Sequence, residues 1–544
     1  MDQSQKISGN LVDIINETIY PATIEIKEGK IVSIKRKEGS EKHFLIPGFV
    51  DAHVHIESSM LPPSEFARFS LKDGVIATVS DPHEIANVLG TAGVEYMLQN
   101  AATVPFKFYF GAPSCVPATS FETSGARLGP QEIEHLLSDN RIKYLTEVMN
   151  FPGVIQCDPE IMQKIAIAKK LKKKIDGHAP QLRGEDLKKY VIAGIDTDHE
   201  CVNADEAREK IALGMKVLIR EGSAAHDFDA LFPLLLECPE SCMLCSDDID
   251  PVTLMRGGVN LLVKRAVSRG ADLMSILRCS SLIPVQHYGL EVGLLRAGDP
   301  ADFIEVSDLK DFKVQSAYVN GQSVFKEGKI LFPRTIPERI NHFTAEKKQM
   351  GDFLVPAHPG RIKVIEAIDG KLLTQEFLAE PLIAGNAVVS DPERDILKIT
   401  VVNRYQNKPP SVAFIKNFGL KQGAIASSVA HDSHNIVAVG ASDEALCKAV
   451  NCIIAHRGGL CVVDGQSETI LPFPIAGLMS DREGALVAKE YERLQLLAKS
   501  LGCPLHAPFM TLSFMALLVI PQIKLSDLGL FDGKTFQITE LFAP

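Results

Sequence analysis

No stretch of this 544-residue chain is apolar for the roughly 20 residues that a membrane-spanning helix needs. The nearest, Phe509 to Ile520, is interrupted by Thr511 and Ser513 and stopped by Pro521, so no membrane is expected as a partner. Positive charge is in short supply too. Lys and Arg number 57 against 68 Asp and Glu, and the net charge of −11 repels phosphate backbones, which excludes nucleic acid as the principal partner. The opening MDQSQKISGN lacks the basic start, apolar stretch and cleavage site of a secretory signal, so a cytoplasmic protein is expected. There is no G-x-x-x-x-G-K-[ST] loop for nucleoside triphosphate chemistry. Nor is there an H-x-E followed by P-C-x-x-C, the mark of a cytidine-deaminase-type zinc site. The 11 cysteines, an odd number scattered along the chain, suit reduced thiols better than a disulfide framework. Cys238, Cys242 and Cys245 cluster, but no second Cys or His pair follows at zinc spacing, and they read as part of a buried strand.

What is present is an ordinary globular composition, 46% hydrophobic and 23% charged, long enough for two to four domains. Residues 11–40 alternate apolar and polar positions and break at Glu28-Gly29; a second such segment, 293–329, carries the hairpin signal Asn320-Gly321. Residues 1–46 and 291–345 are therefore expected to form one composite β-sandwich. Between them, eight apolar runs each end in polar residues and lead into an amphipathic stretch, beginning at 43, 75, 106, 143, 173, 191, 216 and 241. That alternation predicts a (β/α)8 TIM barrel over 47–290, inserted in the β frame, with its active site at the C-terminal ends of the strands. Residues 346–544 are expected to form an α/β or α+β domain, with strands such as KVIEAI, IVAVGA and GLCVVD and a long helix at 482–501 headed by Asp481-Arg482-Glu483.

The first barrel run ends in Asp51-Ala52-His53-Val54-His55, which puts both imidazoles on one side of a strand. Alone, such a pair also fits two satisfied polar side chains. Other runs end in Glu147, His178, His199 and Asp247, and six potential ligands at barrel mouths are hard to explain as packing. Four imidazoles and two carboxylates can hold two divalent cations if one carboxylate bridges, and such a pair makes water a nucleophile at neutral pH. Asp247 and Glu147 are the expected catalytic carboxylates, Asp247 also moving the proton of the attacking water to the leaving group. The chemistry suits hydrolysis of an amide, ester or amidine-like carbon.

The runs PGFVDAHVHIESS (47–59) and GLLRAGDPADFIEV (293–306) resemble the amidohydrolase superfamily. HIESSM, SDPHEIANV, DGHAP, TDHE and CSDD, with VAHDSHNIVAVG and MSDREG far downstream, are similar to the bacterial adenine deaminase family along the whole chain. The resemblance implies hydrolytic deamination of adenine to hypoxanthine and ammonia at a binuclear manganese or iron site, with zinc also accommodated. It implies that His53, His55 and Asp247 hold the first metal, His178 and His199 the second, and that Glu147 bridges them. Many superfamily members bridge with a carboxylated Lys, but the fourth run offers none near its end after Lys143.

His83 is expected to orient the substrate or to ligate an accessory metal, against a structural polar contact. Glu221 is expected either to accept a purine N–H or to be a solvated or capping carboxylate. The loop from Ala430 to Asn435 lacks acidic or histidine partners at known spacing, and a wall over the barrel mouth or a satisfied turn fits it better than a metal site. Against the deaminase reading stand a cyclic amide or amidine hydrolase of the same superfamily and a barrel that has lost its chemistry, although the latter should have lost ligands. Small-molecule substrate and homo-oligomer complete the expectations.

Overall fold

The computed structural model describes residues 4–223, 225–465 and 467–543. Strands β1 (Gln5–Asp13), β2 (Thr18–Lys27), β3 (Lys30–Arg36) and β4 (Phe44–Pro47) open the chain. The barrel strands follow: β5 (Phe49–His55), β6 (Val75–Ser80), β7 (Lys107–Ala112), β8 (Ile142–Val148), β9 (Lys174–Gly177), β10 (Thr197–Asp198), β11 (Lys216–Arg220) and β12 (Cys242–Cys245), with a short extension β13 (Asp247–Asp248). Every residue of β5 and β6 is buried, because helices cover the outside of the ring while other strands fill its inside. The run starting at 43 divides at Gly48, giving β4 to the frame and β5 to the barrel. The sixth run is shorter than its apolar sequence suggests: Val191 and Ile192 end the helix Gly184–Ile192, and only Thr197–Asp198 pairs as strand.

All neighbouring barrel strands run parallel, in ladders β13-β5-β6-β7-β8-β9 and β10-β11-β12. The seams close where β13 pairs with Val54 and His55, and where Asp196 N donates to Ile175 O at 3.2 Å. The register slips between Asp51 and Val54 on β5, and between Leu145 and Val148 on β8. Such irregularities re-aim side chains, and these two flank His53 and Glu147.

The chain returns to the frame with β14 (Phe303–Val306), β15 (Val314–Val319), β16 (Gln322–Lys326) and β17 (Lys329–Ile330). The expected sandwich is one continuous sheet, ordered β17-β16-β15-β14-β4-β1-β2-β3 and folded over on itself. Bonds from Ile31 N to Asp299 O and from Ala301 N to Gly29 O bring the β2–β3 turn back over the segment before β14, enclosing Ile24, Leu45 and Phe303. Asn320 and Gly321 take φ of 47° and 73°, the left-handed pair that a two-residue hairpin requires.

The later half is built on an eight-stranded mixed sheet between Ile362 and Pro472, in which Ile362–Ala367 and Ser411–Lys416 are parallel and the other pairs antiparallel. Period-two alternation divides its side chains. Ile436 and Ala438 pack with Leu446 and Val450 of the helix Asp443–His456, whereas Val437 and Val439 join a core that contains Ile85 and Val88 of the barrel. The two halves thus share one hydrophobic core. The long helix spans Gly484–Ser500; Asp481 and Arg482 precede it, and Asp481 pairs with Arg339 instead of forming the first turn. No helix among the described residues is long and apolar enough to cross a membrane.

Lys524 is fully buried, and its ammonium donates to Leu372 O at 2.7 Å and Phe514 O at 2.9 Å. Burial pushes its pKa down to about 7. An amine that binds its proton less tightly in the folded than in the unfolded chain contributes stability that is complete only above the unfolded value and is lost as pH falls through about 7. Between about pH 7 and about pH 9 the protein should therefore gain roughly 2 kcal/mol that Lys524→Met does not gain. Chemical denaturation of both at the two pH values measures it; parallel pH dependences would show that Lys524 is not the titrating group.

Candidate metal centre

Six side chains from five barrel strand ends converge below the surface, none more than 5% exposed. His53 Nε2 and His55 Nε2 lie 3.1 Å apart, and Asp247 Oδ1 is 3.5 Å from the first and 3.2 Å from the second. Glu147 divides its carboxylate. Oε1 faces His55 Nε2 at 3.3 Å, while Oε2 faces His178 Nδ1 at 2.7 Å and His199 Nε2 at 3.1 Å. Close approaches among ring nitrogens and carboxylate oxygens, with two imidazole nitrogens, His53 Nε2 and His55 Nε2, facing each other beside Asp247, fit ligands collected around cations better than a hydrogen-bonded network.

Buried polar neighbours hold these strand ends in place. Asp198 accepts from the amides of Ala179 and Glu200, one residue beyond His178 and His199, and is paired with the buried Lys210 at 3.0 Å. Asp51 accepts from the amide and hydroxyl of Ser246, tying the residue before Asp247 to the first strand. Asp247 itself sits at φ 57°, a left-handed conformation that a non-glycine residue keeps only where its surroundings impose it.

Two further charges were not singled out from the sequence. Glu200 lies 3.5 Å from His178 and 3.6 Å from His199, and Arg220 binds both Glu200 oxygens and reaches Asp247 Oδ2 at 2.7 Å. On β11 the residue that faces the cluster is Arg220, and Glu221 follows it; the strand is buried on both faces, so its apolar pattern carries no signal for that choice. Of the two expectations for Glu221, a reader of a purine N–H or a solvated or capping carboxylate, its contacts are those of the second. Its Oε1 pairs with Arg265 at 2.7 Å, its Oε2 accepts from the amide of Phe228 at the start of a helix, and it does not line the cavity.

The electrostatics point the same way. Burial alone would raise the pKa of Glu147, but His199 and His178 hold it well below the usual carboxylate range. Asp247 is likewise held far down against burial, chiefly by Arg220 and then by His53 and His55. Against the burial that opposes it, Glu200 and Glu147 push His178 up to about 9. Such imidazoles collect positive charge, and protons compete with metal ions for them.

His83 begins the helix His83–Leu89. Its Nδ1 lies 3.1 Å from Asp81 and 3.4 Å from Glu147, and its Nε2 lies 3.3 Å from Glu84 and 3.6 Å from Asp432. The loop Ala430–Asn435 does have an acidic partner, contrary to the sequence reading: Glu84 binds His431 with one oxygen and His434 with the other. The cavity over the metal cluster is thus walled by both halves of the chain, with Met149, Leu372, Phe514 and Leu517 as apolar surfaces.

This barrel with its mouth of histidines and acids defines a class. The amidohydrolase family model matches residues 44–324, and that family generally uses divalent metal, for which the donors here are suited. The model of the adenine deaminase C-terminal domain matches residues 371–537. The adenine deaminase of Sulfurovum sp. (strain NBC37-1) is 55% identical over 98% of this chain and 99% of that protein, and that of Salinibacter ruber is 52% identical over 100% of both. The chain belongs to the adenine deaminase family. Among solved structures, β-aspartyl dipeptidase from Fervidobacterium islandicum AW-1 aligns at 14% identity and a TM-score of 0.47, covering 61% of this chain and 99% of that one.

Divalent cations bound by the folded chain stabilise it by mass action, by about 4 kcal/mol at a thousandfold excess over Kd. Chelation should lower Tm, and His178→Asn should reduce the metal content measured by elemental analysis. A chain equally stable and fully active after verified metal removal would exclude a metal role for this cluster.

Proposed function

We propose that this chain hydrolyses adenine to hypoxanthine and ammonia with two divalent cations at the barrel mouth. The observation that carries the reading is the divided carboxylate of Glu147, which faces His55 with Oε1 and His178 and His199 with Oε2. His53, His55 and Asp247 would hold one cation and His178 and His199 the other, with Glu147 between them. Manganese or iron is proposed, though such donors also accept zinc. The near-identity in length with relatives named adenine deaminase supports the substrate. A role in purine salvage, in the cytoplasm and as a homo-oligomer, accompanies this reading, and the net charge of −11 supports a small-molecule substrate over nucleic acid.

When bound, the cations supply a hydroxide nucleophile near neutral pH. The protein's part is to hold the base and move protons. Met149, Leu372, Phe514 and Leu517 offer flat apolar contact to the purine and exclude water. Asp247, kept ionised beside Arg220, takes the proton of the attacking water and returns it to the exocyclic nitrogen as C6 becomes tetrahedral and ammonia departs.

Asp247→Asn should reduce kcat by roughly 100- to 10,000-fold, with a much smaller change in substrate affinity. Glu147→Gln, which removes the charge between the cations, should lose metal while remaining folded. Normal turnover in Asp247→Asn would take it off the proton path, and full occupancy in Glu147→Gln would reassign that residue. Ammonia release is to be compared for adenine, adenosine, guanine, cytosine and dihydroorotate. Adenine is expected to lead; a preference for adenosine, or activity on a cyclic amide alone, would overturn the substrate and leave a metal hydrolase.

A further inference from the structure

Two polar atoms at the top of the cavity have no use in the metal cluster. Asp432 is 2% exposed, and its Oδ2 has no hydrogen-bond partner; its Oδ1 approaches His83 Nε2 only to 3.6 Å. His431 is 1% exposed, and its Nε2 is also unpartnered. Both line the same cavity as His55, Glu147 and Asp247, although they lie in the later half of the chain.

Neither side chain is loosely placed. His431 Nδ1 is bound to Glu84, and its ring stacks on Phe514 with centroids 4.6 Å apart and planes 10° from parallel. The loop is held from behind as well. Tyr405 donates its hydroxyl proton to Ser433 O at 2.6 Å, Asn435 accepts from the amide of Arg404, and the amide of His431 donates to Ser513 O at 3.1 Å. A buried carboxylate oxygen held in place with no partner from the protein is costly unless something else pairs with it. In a cavity above a reactive cluster, that something is substrate.

The geometry points to Asp432 as a specificity-determining residue that accepts the ring N–H of the five-membered half of a purine, with His431 as the fixed wall beside it. This deepens the adenine reading and rests on it. His83 explains the spacing: its Nδ1 lies 3.4 Å from Glu147 and its Nε2 3.6 Å from Asp432, so a heterocycle lying past it can present its reacting carbon to the cluster and its far edge to the loop. A base substituted at that ring nitrogen has lost the donor and pushes carbon against a carboxylate. The later half of the chain would thereby select free bases over nucleosides.

The test uses the metal-loaded full-length enzyme, with adenine and 9-methyladenine as substrates, the methyl group removing the donor at little cost in bulk. The wild type should favour adenine by roughly 100-fold or more in kcat/KM. Asp432→Ala should raise KM for adenine by roughly tenfold or more and compress that preference at least about tenfold, and Asp432→Asn, which keeps an acceptor, should restore part of both. Should Asp432→Ala prove unstable, hypoxanthine binding by calorimetry to Asp432→Asn, weakened at least about fivefold, supplies the same reading. Unchanged KM and unchanged preference in Asp432→Ala, or unchanged hypoxanthine affinity in Asp432→Asn, would overturn the inference and leave the deaminase reading intact. Loss of metal in either variant would overturn it in favour of a ligand role. A wild type inactive on adenine would overturn both readings.

Discussion

Burying a carboxylate among imidazoles is the constraint on which the rest of the structure depends. Glu147 is 2% exposed, and an ionised group so placed survives only with opposite charge around it. The barrel supplies that environment from strands that are distant in sequence, and only a closed ring can bring the ends of β5, β8, β9 and β10 within reach of one side chain. Register slips at β5 and β8 add what an ideal barrel lacks, turning His53 and Glu147 to the centre at the cost of local pairing. Much of the surrounding polar structure then serves to fix those ends: Asp198 with Lys210, Asp51 with Ser246, Arg220 with Glu200 and Asp247.

The convergence of these six side chains was legible in the sequence because strand ends are. An apolar run that stops at a histidine or acid marks its own position, and eight such runs imply a ring whose ends face one another. The side chains at those ends therefore had a common destination before any coordinates. Parity was the weak point. Arg220 ends β11 and Glu221 follows it, and choosing between them needs the inward phase of a five-residue strand, which its apolar residues alone do not set. The short sixth strand shows a related limit, since the apolar residues of 191–195 serve a helix end and a turn while two residues carry the pairing.

The composite frame was legible for a different reason: hairpin chemistry at Glu28-Gly29 and Asn320-Gly321 is local, and the sheet is made continuous across the barrel by the pairing of β4 with β14. That the result is one folded-over sheet and not two depends on β3 meeting residues 298–301, a long-range contact without a local signature. The loop at 430–435 was illegible for the same physical reason. Its histidines look partnerless because Glu84, which satisfies both, lies almost 350 residues earlier and across a domain boundary.

The position of that loop also bears on why the barrel is fused to a second domain at all. A barrel mouth is open to water, and a metal-activated nucleophile in an open mouth meets solvent as readily as substrate. Here the mouth is covered by a sheet whose inner face belongs to the same hydrophobic core as the barrel helices, so the cover cannot be removed without exposing Val437, Val439 and their neighbours. Where the cavity lies the contact is polar, through Glu84, His431, His434 and Asp432. His83 stands between the two sides, touching Glu147 and Asp432 with opposite nitrogens. Its ring cannot be turned to suit the cluster without moving the group that faces the loop, so the arrangement of the histidines and carboxylates and the shape of the cavity above them are set together.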